Sequence, residues 1–496
     1  MKAIKIIAAF IVISALGLES AARADAREEP SDPLMIGRAV ADRELFGAPI
    51  KADDQVPSIK APHNLIWFDP VLMAGGGARP WNRSVKHDLI WLDATLMAGL
   101  FGFYDRMEET GSPVPRYLAY LEAWADRDPG GYPFPVIHGD WVTAGQTYIW
   151  LYERSGRTSN HLQRTDGMIQ LIFKGRKFTQ WQFGYNDYWM RFWQDDVFMI
   201  APFLAYRGQA VGNAGIPDGK DAREIAVEYC RAYAQVLRDP VTGLFWHNPR
   251  ARGDYLWGRG NGWVAAGYMK VLDVIKDDPA YAEDAQWLKE QLADMARTLK
   301  ANRNVVGTWN ADIVNRAEFT APETSGSAFF TFMIARMVNL GYLPREEYLP
   351  VALKAWHFLK LSVVTGEGDL LRVQPVGRGP IKRDFEDHSE TYGVGAFLLA
   401  AAEVSKFSEE ELERGDEVEC LRVDYQAERQ SAGRLALSIE ELRALCPDFP
   451  ENPAGRVQAV MAGQPLLATE WDERSKAVII SGLPAHSGPV HLFYQP

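Results

Sequence analysis

The stretch YWMRFWQDDVFMIAPFLA, residues Tyr188–Ala205, is among the most apolar and aromatic segments of the chain, yet it carries two adjacent carboxylates. Its apolar residues recur at intervals of three and four, which predicts a buried helix over about 189–207. Successive helix residues differ in direction by about 100°, so Asp195 and Asp196 face different sides of that helix. Both sides are largely apolar, and we therefore expect at least one carboxylate to be shielded from water.

A shielded carboxyl group has a raised pKa, which a general acid needs near neutral pH. The competing interpretation is structural: the acid pairs internally, for example with Arg191. Two adjacent acids in a Trp-rich segment favour the functional interpretation. The pair is therefore our first candidate for catalysis.

The same periodicity continues on both sides of this stretch, with Gly-, Pro- and Asp-rich connectors between the periodic segments. A short echo of Ile66–Gly76 in Ile90–Leu100 is too brief to indicate a repeat protein. Helices without convincing strands between them favour a closed double toroid of helix hairpins over residues 63–406. The periodic segments other than 189–207 lie near 88–107, 114–126, 141–155, 219–237, 259–277, 281–301, 325–341, 346–363 and 390–406.

The first residues, MKAIKIIAAFIVISALGLESAARADA, combine early lysines, an apolar run and small residues around Ala22–Ala24. This order predicts a secretory signal over 1–26, and the apolar run is short for an uncleaved membrane anchor. We therefore expect a periplasmic or secreted protein. Residues 27–62 are polar and contain proline, which is typical of an N-terminal arm.

The pattern changes at about residue 407. Residues 407–414 form a charged linker, and 415–496 show short alternating runs bounded by Gly and Pro, which predict a small β-rich domain. An exported protein would permit a Cys420–Cys446 disulfide, and buried thiols are the equal alternative. The three cysteines form no CxxC or Cys/His cluster of the kind that binds zinc.

Composition excludes some partners. The 496-residue chain has a formal net charge of −12, which argues against nucleic acid binding. An anionic substrate must then be held by local Arg or Lys side chains. The sixteen Trp offer flat faces that stack on sugars as well as core volume.

A second polar motif lies in WHNPRARGDYLWGRGNGWVAAGYM, Trp246–Met269, where a glycine-rich loop opens a helix. Glycines let a backbone approach a ligand closely, a guanidinium binds carboxylates, an amide binds hydroxyls and indoles stack on sugars. The alternative is a tight helix entry with buried Trp and a satisfied Asn cap. The candidate ligands are His247, Trp257, Arg259, Asn261 and Trp263.

Three further helix starts carry polar groups, in Val136–Glu153, Ala321–Leu343 and Asp387–Val404. Helix N-termini suit anions and hydroxyls, although capping explains the same residues. In an α-toroid such helix ends converge on one funnel, which favours a single site. The candidates are His138, Asp140, Gln146, Thr324, Ser325 and His388.

Four stretches together, WQDDVFMIAPFLA, GRGNGWVAAGYMKVL, ETSGSAFFTFMIARMVNLGYL and ETYGVGAFLLAAAEV, resemble the unsaturated glucuronyl and rhamnogalacturonyl hydrolases of glycoside hydrolase families 88 and 105. The resemblance covers about 63–406 and implies an (α/α)6 barrel, here with a small C-terminal β-rich appendage. It implies an acidic oligosaccharide partner that carries a 4,5-unsaturated uronic acid at its non-reducing end. It implies no cofactor, no residue spacing requires a metal ion, and no membrane partner is expected after signal removal.

The resemblance also implies roles for single residues. The catalytic acid, two residues after a Trp, corresponds to Asp195, and its partner acid corresponds to Asp140, in IHGDW where the family more often has two His or two Asp. The sugar-binding loop corresponds to Arg259, Asn261 and Trp263, preceded by His247. The implied reaction protonates C4 of the enol ether and adds water at C5.

Other functions stay open on the sequence. A conventional inverting glycosidase would use Asp140 and Asp195 as acid and base. A glycan-binding protein without catalysis would keep the Trp faces alone. A lyase is a poorer match, because α-toroid lyases use Tyr, His and Arg.

Overall fold

The structure, a computed structural model, describes residues 32–46, 91–126, 139–179, 193–377, 379–382, 385–416, 418–425, 433–462, 466–485 and 487–495. The expected signal segment, Ile66–Gly76, His138 and Arg191 lie outside these residues. The chain divides into a larger unit, Ser31–Val418, and a smaller one that holds Glu419–Pro496. Within the described residues, no helix combines the length and apolarity that crossing a membrane requires.

The larger unit is built from helices. They are α1 (Pro33–Phe46), α2 (Trp91–Glu109), α3 (Pro115–Asp126), α4 (Ala144–Arg154), α5 (His161–Arg164), α6 (Asp166–Thr179), α7 (Asp196–Val211), α8 (Ala222–Leu237), α9 (Gly258–Ile275), α10 (Ala282–Ala301), α11 (Thr324–Asn339), α12 (Arg345–Phe358), α13 (Thr391–Val404) and α14 (Glu409–Gly415).

Six of these helices close into an inner ring. Helices α2, α4, α7, α9, α11 and α13 each pack against the next, and α13 packs against α2. Helices α1, α3, α8, α10 and α12 form an outer layer, and each contacts its two inner neighbours. This arrangement confirms the six-hairpin toroid expected from the sequence.

Burial separates the two layers. Every residue of the inner helix α13 is buried, whereas the outer helix α10 buries one stripe from Ala285 to Leu299. Glycines allow inner helices to touch backbone to backbone. A Cβ on Gly99 of α2 would overlap the carbonyl oxygen of Gly395 in α13, and a Cβ on Gly395 would overlap that of Thr95.

The axis of the ring is filled by aromatic side chains. Trp263 of α9 lies 5.9 Å from Trp91, 5.1 Å from Phe198, 4.7 Å from Phe329 and 6.1 Å from Tyr392, measured between ring centroids. These five rings come from the first two turns of five inner helices. The N-terminal ends of the inner helices therefore converge, as predicted, above an aromatic floor.

The ten helices expected from periodicity are all present, with one displaced start. The acids 195 and 196 were expected in the middle of a helix over 189–207, but α7 begins at Asp196. Apolar periodicity does not show at which residue a helix begins. Residues 33–46, in the segment expected to be an arm, form α1, which packs against α13 and buries Ile36, Val40 and Leu45 among others.

The smaller unit contains two antiparallel sheets. Strands β1 (Cys420–Tyr425), β2 (Arg434–Ser438), β3 (Val457–Val460), β4 (Ala468–Asp472), β5 (Ala477–Ser481) and β6 (Gly488–Tyr494) pair in the orders β1-β6-β3 and β2-β5-β4. The run RLALSIEEL, expected to be a strand, divides into β2 and a short helix, α15 (Ile439–Leu445), because Ser438 and Glu441 form a capping box. Cys420 and Cys446 are free thiols.

Candidate active site

Asp195 occupies the N-cap position of α7 but does not cap it. Its backbone is helical (φ −56°, ψ −38°) and its side chain accepts no hydrogen bond from the first helical turn. The side chain is 18% exposed, and its Oδ2 lies 3.3 Å from Nδ1 of His247. Neither of these two atoms makes a hydrogen bond in the described part of the chain. The partly exposed carboxyl group of Asp195 thus has one buried oxygen that the protein leaves without a hydrogen bond.

His247 is held in place from three directions. Its ring stacks on Trp193 at 5.9 Å and meets Trp257 edge-on at 5.1 Å. Its backbone carbonyl accepts a hydrogen bond from the N–H of Gln194. The imidazole is buried, so its orientation toward Asp195 is fixed by packing.

The next residue in the chain faces elsewhere. Asp196 is 5% exposed and accepts a hydrogen bond from the hydroxyl of Tyr233 at 3.0 Å. Of the two adjacent acids, Asp195 is thus the more exposed, and Asp196 is bound by an outer helix. Apolar periodicity alone could not tell them apart, since both flanks are apolar, whereas the family resemblance pointed to Asp195.

Asp140 lies on the short helical turn Gly139–Trp141, just before α4. This turn packs against the start of α7, and a Cβ on Gly139 would overlap Oδ1 of Asp196. The half-buried Asp140 and Asp195 are therefore the chain neighbours of two residues in direct contact. Gln146, on α4, is buried and donates to the carbonyl of Phe198 at 2.9 Å.

Arg259 is buried at the start of α9 and bound by the protein itself. It donates to the carbonyl oxygens of Gln374 and Pro375, at 2.5 and 3.2 Å, and to the hydroxyl of Tyr392. Its guanidinium also lies 4.5 Å from the ring centroid of Trp257. The structure thus gives Arg259 a role in joining loops at the funnel, and binding of a substrate carboxylate by this side chain stays a prediction.

Asn261 joins the same helix to the segment that carries His247. Its Oδ1 accepts from the N–H of Phe245, and its amide donates to the carbonyls of Phe245 and Trp257. Both amide hydrogens are used, so none is left for a sugar hydroxyl in this arrangement. Trp257 and Trp263 are buried as well. Substrate contacts by these three residues stay predictions.

The donor-rich start of α11 already holds an anion from the chain. The buried carboxylate of Glu323 accepts from the N–H groups of Ser325 and Gly326, from the hydroxyl of Ser325 and from the N–H of Gln374. Thr324 donates its hydroxyl to the carbonyl of Leu371. These bonds are the capping that the sequence left open as the alternative, since Glu323 is the N-cap of α11. Sugar binding by Thr324 and Ser325 stays a prediction.

Gln374 connects these helix ends, and sequence reasoning missed it. Its N–H donates to Glu323, and its carbonyl accepts from Arg259 and Tyr392. Its side chain accepts from the indole N–H of Trp257. No local pattern marks this glutamine, because its bonds to Glu323, Arg259 and Trp257 join segments more than 50 residues apart. His388 lies farther along, with Nε2 2.9 Å from Glu390.

Two half-buried aromatic residues also border Asp195, and neither was singled out as a ligand. Trp193 stacks on His247, and the only sequence signal for it was its position in the Trp-rich segment before Asp195. Tyr255 contacts Gly379, and its pKa is raised by burial and then by the charges of Asp254 and Asp195. An acid beside an imidazole and partly exposed aromatic rings is an arrangement that can protonate a bound sugar.

The larger unit is similar to known proteins. The family model described as Glycosyl Hydrolase Family 88 matches residues 82–408. The "Unsaturated 3S-rhamnoglycuronyl hydrolase" of Alteromonas sp. (strain LOR) is 29% identical over 288 residues, 54% of this chain and 66% of that protein. The alignment thus spans just under two thirds of the relative's length.

Two solved structures share the fold. The "Glycosyl hydrolase family 88 from Bacteroides vulgatus" is 24% identical with a TM-score of 0.54, covering 64% of this chain and 92% of its own. A structure titled "Polysaccharide Lyase" is 27% identical with a TM-score of 0.53, covering 65% and 92%.

Proposed function

Because the chain belongs to Glycosyl Hydrolase Family 88, we propose that it is a hydrolase that removes a 4,5-unsaturated uronic acid from the non-reducing end of lyase-generated oligosaccharides. One observation carries this proposal beyond the family match. Asp195 stands at a helix start without capping it, and its free carboxyl oxygen faces a fixed imidazole. An uncapped helix end costs stability, so an aspartate at the N-cap position that does not cap its helix suggests a role in function.

In the proposed reaction Asp195 gives its proton to C4 of the unsaturated ring. The C4=C5 electron pair forms the new C–H bond, and positive charge develops at C5, shared with the ring oxygen. Water then adds at C5 and returns a proton to the Asp195 carboxylate. The resulting hemiketal opens, and the bond to the aglycone breaks with release of its hydroxyl. One carboxyl group thus serves as acid and then as base.

The neighbours of Asp195 have distinct proposed roles. His247 Nδ1 faces Oδ2 of Asp195. It can accept a hydrogen bond from the protonated carboxyl group or, as an N–H, donate one to the carboxylate. Asp140, on the adjoining turn, is the second acidic group and is proposed to orient the sugar or the water. The partly exposed rings of Trp193 and Tyr255 offer stacking faces at the same position.

The first test follows the ultraviolet absorbance of the C4=C5 enol in a panel of unsaturated disaccharides. The name of the Alteromonas relative makes rhamnose-containing uronyl disaccharides the first to try. We expect the absorbance to fall with at least one of them. D195N should abolish the fall, and D221N is the matched control, because Asp221 caps α8 in the ordinary way and Asn caps equally well.

The same assay separates the alternatives. A polysaccharide lyase would create the enol, so absorbance would rise with an intact acidic polysaccharide. A conventional glycosidase would cleave saturated oligosaccharides without any change in absorbance, seen as new reducing ends. Either result, with no loss of enol across the panel, contradicts the proposed function.

A further inference from the structure

Asp196 is buried next to residues that adjoin both acids of the proposed reaction. Its neighbour in the chain is Asp195, and its Oδ1 abuts Gly139, the chain neighbour of Asp140. No side chain larger than hydrogen fits at position 139 without moving this carboxylate. The position of Asp196 therefore sets how closely the turn Gly139–Trp141 approaches the start of α7.

The other oxygen of Asp196 is fixed by an outer helix. The hydroxyl of Tyr233 donates to Oδ2 at 3.0 Å, and the hydroxyl of Tyr229 donates to that of Tyr233 at 2.8 Å. The two rings, one turn apart on α8, stack at 4.6 Å. Burial, with the nearby charge of Asp196, holds the pKa of both tyrosines well above the ordinary value, so both hydroxyls keep their protons.

We propose that Asp196 is a positioning residue that sets the geometry of Asp195 relative to Asp140, and that the Tyr233–Tyr229 hydroxyl pair holds Asp196 in place. This inference rests on the proposed function, because Asp196 would act only through Asp195 and Asp140. The Asp196 carboxylate is bound by α8 on one side and packs against the turn Gly139–Trp141 on the other. A shift of α8 would therefore move the reacting groups. Small displacements of reacting groups have large effects on rate.

Y233F is the variant of choice, because it removes only the hydroxyl that holds Asp196. The chain offers a matched control in Y117F. Tyr117, on the outer helix α3, is also buried and donates to a buried carboxylate, Oδ1 of Asp42, at 2.8 Å. Loss of either hydroxyl should lower the melting temperature similarly, so that stability alone cannot explain a difference in activity.

We expect Y233F to lower kcat on the unsaturated disaccharide by about tenfold, with KM changed less than about threefold, and Y117F to leave both within about twofold. Hydrogen exchange should agree. The amides of Val142 and Gly145, bonded to the carbonyls of Gly139 and Val142, should exchange faster in Y233F than in Y117F. G139A, which pushes a methyl group against Asp196, should reproduce the loss of kcat.

Equal kcat values and equal exchange in Y233F and Y117F would overturn the inference. A wild-type protein that consumes no unsaturated disaccharide would instead refute the proposed function. In that case exchange decides the positioning claim by itself: amides of the turn that stay protected in Y233F contradict it, and amides exposed only in Y233F support it.

Discussion

At the scale of single residues, an aspartate at a helix start has two uses, and this chain separates them. Asp221 caps α8 by accepting from the N–H of Arg223, whereas Asp195 leaves the first turn of α7 uncapped. An N-cap aspartate contributes about 1 kcal/mol to stability. We therefore expect D221A to lower the free energy of unfolding by about that amount and to keep activity. D195A should keep the free energy of unfolding and lose activity. Denaturant unfolding and the enol assay measure the two effects. Equal stability losses would show that Asp195 is a structural cap.

Asn261 gives a second prediction at this scale. Its side chain makes three hydrogen bonds to backbone groups in a fully buried place. N261A removes the side-chain partners of the N–H and the carbonyl of Phe245, each of which costs about 1–3 kcal/mol when buried. The carbonyl of Trp257 keeps the backbone N–H of residue 261 as a partner. We expect a large loss in the free energy of unfolding, measured with denaturant. A variant that raises KM at unchanged stability would instead assign Asn261 to the substrate.

At the scale of secondary-structure elements, the inner ring depends on close helix contact. G395A places a methyl group against the backbone carbonyl of Thr95 and forces α2 and α13 apart. Overpacking of this kind costs about 1–3 kcal/mol, and the loss should appear as a lower denaturation midpoint. Gly167, on α6, is the control. A methyl group there meets no atom within 4 Å, so G167A should be neutral or stabilising, by up to about 1 kcal/mol.

The sequence predicted elements better than it predicted their ends or their partners. Apolar spacing identified the ten main helices, because the toroid buries one stripe of each outer helix and most of each inner one. It placed the start of α7 too early, since the residues before Asp196 are as apolar as those after it. Gln374 could not be found this way, because its hydrogen bonds to Glu323 and Arg259 join segments far apart in the chain.

For the candidate site, the sequence predicted that polar motifs lie at helix starts, but not what their side chains contact. The polar motifs lie at helix starts that converge above the aromatic floor, as expected for a funnel. Polar residue types alone do not show whether a side chain faces a ligand or the protein. Arg259 and Asn261 illustrate this, since the groups that suit a sugar suit a backbone carbonyl equally well.

At the scale of the whole molecule, the interior of the ring contains a buried amine. Lys270, on α9, lies 4.9 Å from the ring centroid of Phe101 on α2, and its Nζ is 3.5 Å from the hydroxyl of Tyr206 on α7. Burial lowers its pKa from 10.5 to about 8, against the opposing charges of Asp273 and Asp105. The interior of the toroid therefore favours the neutral form of the Lys270 amine over its charged form.

This arrangement makes the stability of the toroid depend on pH in a defined window. Between pH 8 and 10.5 the folded protein has released the Lys270 proton while the unfolded chain still binds it, so the contribution of Lys270 to stability rises with pH. The full change corresponds to about 3 kcal/mol. K270M removes the titrating group and should therefore be more stable than the wild type at pH 7. This advantage should shrink steadily as the pH rises toward 10.

Thermal melts of the two proteins at matched pH values measure the gap, and taking their difference cancels the titration of every other group. K382M is the control, because the Lys382 side chain is 61% exposed. Its difference from the wild type should show no comparable narrowing between pH 8 and 10. A K270M gap that stays constant over that range would mean that folded Lys270 keeps its proton throughout, as the unfolded chain does, and that the ring interior does not select against its charge.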